Sequence, residues 1–600
     1  MAINKTMDRA TGVAGEGLEP PEDQPQPTAV SRRIFRMPSA RFIAITALIA
    51  ILAYLVLLPI AMIVWGSFRD SPPGVAGSFT LEKYVLAYTT PRFLRAVWNS
   101  LVFAVSSSIL AFVVGTYLAW ITERTNTPLR GVTYALVLLP VIVPGVLTTI
   151  AWVLILNPTI GVANAVVNVF VETAEPVFTS YGMWAMIWAD GMDSITLPFL
   201  LMAAAFRGMD PSLEEASETS GAAGWFTMRH VTLPILTPAV LAVFLLLFIK
   251  TIETFEVPAI MGIPAGITVF ATEVWLASQN FPRDYNLAGA FAVGYLAVTI
   301  LGLALYYRAT NLSAKFATIT GKGFKPTRID LGVKKWLHFS ITMLLLFVAV
   351  VLPFLIMLYT SVIPFYVVPS LEALSRFTWN NYEYILTANL TLRALKNTLI
   401  VGLSSSVVVV VLSAVISWVV IRTTLPLRKL LDAVAFAPIA VPGLVMGLAL
   451  IWVYLTFPDV GIYGTLWILG LGFVAKYIPY GMRASHASLT QIDKELEEAS
   501  AASGASWLRT FGSIIAPLIS SGLLVAFIYV LSLTFKVLSL PIMLSGTNTE
   551  VLSVLIFDLF EGGEYPRLNA LGVLMFLILL ALSALSRMLQ KRFGHVEVNT

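Results

Sequence analysis

The sequence has no cysteine, and charge is scarce. Without thiols there are no disulfides, no thiolate metal ligands and no cysteine nucleophile. Charged residues make up 12% of the chain, against about 25% in a typical soluble protein. The net charge is only +4 in 600 residues, too small a basic field for nucleic acid. A phosphate-cradling GxxxxGK[ST] is missing as well: the nearest fragment, Gly321-Lys322-Gly323, lacks the upstream glycine and the hydroxyl residue. No nucleotide or other cofactor is therefore expected in this chain. The histidines, His230, His338, His486 and His595, are scattered, whereas a metal site gathers several ligands. No His/Asp/Glu set shows catalytic spacing, which argues against an enzyme.

What the chain has is apolar length. Hydrophobic residues make up 58% of it, and mean hydropathy is +0.83. Clear apolar stretches run over 42–66, 97–120, 132–156, 235–256, 286–307, 338–364, 396–421, 432–456, 514–536 and 568–588. Two weaker ones, 182–205 and 462–485, are interrupted by Asp190, Asp193 and Pro198, and by Lys476 and Pro479. At about 20 residues per crossing, these predict an all-α membrane protein with about twelve transmembrane helices.

Residues 1–40 are polar and rich in Pro, Glu and Gln, and read as a disordered cytoplasmic tail rather than a cleavable signal. Arg32, Arg33, Arg36 and Arg41 precede the first span, and basic residues crowd the 308–335 connector, while 157–181 contains no Lys or Arg. This asymmetry places both termini inside.

The chain is a duplication. Arg95–Ser108 aligns with Arg393–Ser406 at an offset of 298, as do Pro144-Gly145 and Pro442-Gly443. Further on the offset falls to 283, so the outer loop after the third span is expected to absorb 15 residues. An even number of spans per copy makes the repeats parallel, related by a pseudo-two-fold axis along the membrane normal. The expected domains are a six-helix unit at 41–307, a basic linker at 308–337, a second six-helix unit at 338–590 and a tail at 591–600.

The two longest inner loops carry the most specific pattern: EEASETSGAAGWFTMRHVTLP from Glu214 to Pro234, and EEASAASGASWLRTFGSIIAP from Glu497 to Pro517. Each predicts a short helix with a low-relief surface (Ala216, Ser217; Ala499, Ser500). A glycine turn follows (Gly221; Gly504), then a second helix entered through a first-turn proline (Pro234; Pro517). Trp225 and Phe226, or Trp507 and Phe511, are candidate anchors against a neighbour.

These loops resemble the Glu-Ala-Ala-x-x-x-Gly signature of permeases in binding-protein-dependent ABC importers, and the fused two-unit layout resembles the ferric-iron permease family. Ser217 and Ser500 replace the second Ala of that signature, Val231 stands for Ile and Ala516 for Leu. The resemblance implies a bacterial inner-membrane permease served by an external substrate-binding protein. Two copies of a separate cytoplasmic ATPase, holding ATP and Mg, would drive it. Glu214, Glu215, Ala216, Ser217, Gly221, Pro234 and their counterparts Glu497, Glu498, Ala499, Ser500, Gly504 and Pro517 would couple the two. Ferric iron is the substrate it points to; aminophosphonate, thiamine and polyamine permeases share related layouts. An ion-coupled secondary transporter of six plus six spans is the alternative class, but has no use for two matched docking loops.

Ionisable residues within spans usually face a cavity or a partner. Glu253 and Lys536 are equivalent at the 283 offset, and are expected either to pair across the pathway as a gate or to snorkel outward. Asp190 and Asp193, one turn apart, either line the pathway or cap a helix broken at Gly191.

Overall fold

The computed structural model describes residues 40–171, 175–209, 212–222, 224–316, 328–424 and 427–593. The expected tail at 1–40, but for its last residue, and most of 591–600 lie outside these, as do His595, the Gly321-Lys322-Gly323 fragment and the centre of the linker. Among the described residues the structure is helical, apart from two isolated bridges, Arg69–Phe79 and Thr125–Ile329.

Six continuous helices match clear apolar stretches of the sequence in the first, second, sixth, seventh, eighth and twelfth positions: Ile43–Ser67, Pro91–Arg124, Tyr285–Thr310, Lys334–Ser361, Asn389–Arg422 and Tyr565–Leu589. The fifth, Arg229–Glu253, is also continuous. The third, fourth, ninth and eleventh are bent pairs: Arg130–Val141 with Gly145–Ile155 (103°), Met183–Asp193 with Thr196–Gly208 (46°), Arg428–Ala440 with Gly443–Thr456 (110°), and Phe511–Leu518 with Ser520–Lys536 (68°). The tenth, Leu466–Thr490, is a 25-residue helix. Lys476 and Arg483 dilute its hydropathy, but at about 1.5 Å per residue it is long enough to cross. It packs along the eighth span.

One apolar pair was not among the expected spans. Pro258–Ala265 and Phe270–Gln279 meet at 79°, the geometry of a broken span or a re-entrant loop. It recurs 283 residues on as Pro541–Leu544 and Leu552–Glu561.

The duplication is visible in the breaks. The third and ninth spans both turn sharply at Pro-Gly, where the proline lacks an N–H and the next helix starts afresh. Five π-turns, Ala53–Leu57, Met228–Thr232, Pro258–Gly262, Phe347–Val351 and Phe511–Ile515, each end two residues before a proline: Pro59, Pro234, Pro264, Pro353 and Pro517. A proline has no N–H for the carbonyl four residues back and crowds it; widening the preceding turn accommodates that carbonyl. Pro234 and Pro517 thus occupy the first turn of an α-helix as expected, without interrupting the span.

The loop that absorbs the length difference holds an extra helix, Val162–Phe170, where the second repeat has only the turn Pro458–Val460. Packing confirms the register on either side of it. A Cβ on Gly115 would lie 2.6 Å from Pro198, and a Cβ on Gly481 would lie 2.4 Å from the Ser413 hydroxyl. Position 115 pairs with 413 at offset 298, and 198 with 481 at offset 283. The same helix crossing is kept tight by a glycine on opposite partners, as membrane helices require of close approach.

The second and eighth spans are 34 residues each, about 51 Å at 1.5 Å per residue, well beyond a core of roughly 30 Å. Their inner ends carry Arg124 and Arg422 out to the inner loops.

Candidate coupling loops and interlobe charge cluster

Ser212–Thr219 and Glu495–Ala502 are the short helices expected in the inner loops. Each ends in a glycine with positive φ, Gly221 at 82° and Gly504 at 77°. The amides of Ala222 and Ala505 reach back to the carbonyls of Ser217 and Ser500 (3.2 and 3.1 Å), a six-to-one closure that needs a left-handed residue at the cap.

The two glutamates of each loop divide their work. Glu214 forms an ion pair with Arg124, which is buried, and accepts a 2.6 Å bond from Thr232. Glu497 forms the equivalent pair with Arg422 at 3.0 Å and accepts from Trp418 Nε1 at 3.3 Å. The first glutamate of each loop therefore ties the loop to the end of a long span. Glu215 and Glu498 stay exposed, beside exposed Ala216 and Ala499. Ser217 and Ser500 each meet a threonine hydroxyl on the following helix, Thr227 and Thr510, both at 2.9 Å. The serines that depart from the Glu-Ala-Ala pattern thus close the loop internally.

The anchors differ. Trp507 stacks on Trp418 at 5.6 Å, and Phe511 meets the same ring edge-on. Phe226 is about half exposed and stacks on His230 of its own loop. The side chain of Trp225 lies outside the described set.

The charged residues inside the spans gather between the lobes. Lys476 approaches Glu253 at 3.4 Å, so the expected Glu253–Lys536 pair does not form. Equivalent residues meet only if both lie on the axis; these lie off it, and the residue across from Glu253 is Lys476, the 283-offset counterpart of Asp193. Lys536 instead donates to the carbonyls of Val141 and Pro140, at the break of the third span, within the field of Asp193 and Glu256. Lys476 also donates to Val441 at the break of the ninth span. Carbonyls freed by broken helices are thus satisfied by lysine. Neither Glu253 nor Lys536 snorkels outward.

Asp190 is buried and accepts from Thr251 and Thr254 of the fifth span region, at 3.1 and 3.4 Å. Asp193 accepts from Thr148 at 3.1 Å and lines a cavity with Pro140, Val143, Pro353 and Phe354. The helix bends after Asp193, not at Gly191, which packs on Leu110. Lys250 donates to Ser194 at 2.9 Å, and Glu256 accepts from the amide of Leu538 at 3.4 Å. Among the described residues, no three of His, Asp and Glu converge to hold a metal ion.

Residues 421–595 match the family model described as the inner membrane component of binding-protein-dependent transport systems. The ferric transport system permease protein FbpB of Actinobacillus pleuropneumoniae is 26% identical over 90% of this chain and 77% of its own length. The second unit carries the inner membrane component of binding-protein-dependent transport systems, and most of the chain is similar to permeases of ABC importers.

The permease is also similar to the sulfate transport system permease protein CysT of Salmonella typhimurium, 28% identical over 37% of this chain and 84% of that one. One chain of a solved bacterial ABC transporter involved in alginate import has a TM-score of 0.36 at 21% identity, covering 46% of the permease and 96% of that chain. Permeases of this class are multi-pass inner-membrane subunits and are not themselves catalytic.

Sequence reasoning missed Arg124, Arg422 and Lys476 as site residues. The arginines were legible in principle: both are the last residue of an apolar repeat, at one offset. Lys476 was visible as a charge within a span, but its partner was not.

Proposed function

We propose that this permease couples substrate passage to ATP hydrolysis in two copies of a separate cytoplasmic ATPase, each docked on one inner loop. The observation that carries this reading is the matched division of labour in the loops. Glu214 and Glu497 face inward to Arg124 and Arg422. Glu215, Glu498, Ala216 and Ala499 face outward on a low-relief helix. Gly221 and Gly504 set the turns, and Pro234 and Pro517 lead into the fifth and eleventh spans. A force on either short helix passes through an ion pair to a 34-residue span and, through the Ser–Thr contact, to the next span. ATP and Mg belong to the partner; the permease contributes no covalent chemistry. Closure of the ATPases draws the loops together and the lobes rock, opening the pathway to a loaded external binding protein. Both termini lie on the cytoplasmic side, with the loops.

Ferric iron is the substrate this reading favours. It rests on the relative named for ferric transport, which extends over most of the permease. Relatives named for sulfate and for spermidine/putrescine match only about a third of it. Aminophosphonate and thiamine remain substrates of related layouts. The test is uptake into proteoliposomes holding the complete importer, with binding protein loaded in turn with ferric iron, sulfate and a polyamine. Uptake driven by an ion gradient, without ATP, would overturn the reading in favour of a secondary transporter.

A further inference from the structure

The charges between the lobes are unequally shared. The first repeat supplies Asp190, Asp193, Glu253 and Glu256 with one cation, Lys250, which bonds within its own lobe to Ser194; the second supplies Lys476 and Lys536. At the 283 offset Asp193 is replaced by Lys476 and Glu253 by Lys536, so the duplication has inverted the charge at both positions. A carboxylate of one lobe therefore finds a cation of the other wherever these positions approach. Glu253 meets Lys476, and Lys536 crosses to the broken third span in the field of Asp193.

We infer that Glu253–Lys476 and Lys536 on the Pro140–Val141 carbonyls form the two latches of a closed gate, separated when the lobes rock apart. This deepens the importer reading and rests on it. The contacts are built to release. The Glu253–Lys476 approach is long at 3.4 Å, and Glu253 Oε1 is buried with no partner. A buried pair with incomplete hydrogen bonding gains little over its desolvation cost, so parting it as water enters costs little. Both lysines hold carbonyls of Pro-Gly breaks, the points where a span can hinge rather than bend as a rod. Inverted charges also penalise any slip that would set like charges of the same lobe type together.

The test begins with the full-length permease alone in liposomes, read by entry of iodide and of thallium with no ATPase present. Glu253→Ala and Lys476→Ala should each raise ATP-independent entry of at least one ion by about tenfold or more, because the remaining charge is left buried without its partner in the closed form. The exchange Glu253→Lys/Lys476→Glu, which restores the charge pair but not the bond to the Val441 carbonyl, should be tighter than either single variant. Single variants as tight as wild type, or an exchange as leaky as the singles, would overturn the gate.

A second arm uses the absence of native cysteine. Glu253→Cys/Lys476→Cys, joined by a short reducible thiol crosslinker, should remain tight and lose binding-protein-stimulated ATP hydrolysis in the assembled importer, recovering it on reduction. Full stimulation in the crosslinked protein would overturn the latch. If the wild-type permease recruits no ATPase, the importer reading fails while the leak result stands independently.

Discussion

The hydroxyl of Ser217 lies 2.9 Å from that of Thr227, closing the first inner loop onto the helix that leads into the fifth span. Ser500 and Thr510 repeat the contact at the same distance. The two sequences between them differ at most positions, so the contact has survived where its surroundings have not. Ser217→Ala and Ser500→Ala should each cost about 1 kcal/mol of local stability, the net worth of a typical hydrogen bond. Faster hydrogen exchange at the Ala222 and Ala505 amides, with the spans unchanged, would show it.

The loop anchors are costlier to break. Arg124 and Arg422 are nearly fully buried. Arg124→Ala leaves Glu214 without its charge partner, and a broken buried pair costs about 3–5 kcal/mol. Arg124→Leu/Glu214→Leu removes both charges and should recover most of that. The check is the melting temperature of the purified permease: the double variant should melt well above Arg124→Ala.

Gly221 and Gly504 sit at positive φ with open space around them, so strain, not crowding, opposes a side chain there. Alanine at either should cost about 1–2 kcal/mol. Gly131, within a helix and equally unobstructed, is the control: alanine there should stabilise by about 0.5–1 kcal/mol. Thermal unfolding of the three variants separates the signs.

Where the linker leaves the undescribed region it clips onto the inner end of the second span. Ile329 donates to the carbonyl of Arg124 at 2.8 Å, and Asn126 donates to Ile329 at 3.3 Å. Asp330 accepts from the Gly332 amide and from the Asn126 side chain, which hold its carboxyl below the usual range. A lowered native value means the contact contributes fully above the ordinary aspartate pKa of about 3.9, and is lost as pH falls through the lowered value. Exchange protection at Ile329, corrected for intrinsic rate, should be flat from neutral pH to about 5 and fall only below about 4. Asp330→Asn should abolish that acid step.

Much of this was legible in the sequence, because membrane spans and repeats write themselves as long apolar runs and fixed offsets. The matched Pro-Gly pairs, the two inner loops and the place of the 15-residue insertion follow from pattern alone, whereas the sharp bends at those Pro-Gly pairs, inside stretches that read as uninterrupted spans, do not. The partner of Glu253 does not. An offset names the equivalent residue, while contact depends on distance from the axis, which only the packed lobes define; hence Lys476 rather than Lys536. The bent pair Pro258–Gln279 was obscured because its two arms are each too short to read as a span. The inward turn of Glu214 and Glu497 was equally hidden, since nothing local distinguishes the first glutamate from the second until Arg124 and Arg422 arrive from a distant helix.

On the proposed reading, Glu215 and Glu498 face a docked ATPase that Glu214 and Glu497 do not. ATP hydrolysis by the assembled importer in lipid, with and without loaded binding protein, tests it most directly. Glu215→Ala/Glu498→Ala should leave the permease's melting temperature within about 2 °C of wild type, as surface substitutions do, while abolishing stimulation by the binding protein. Undiminished stimulation in that double variant would contradict the account.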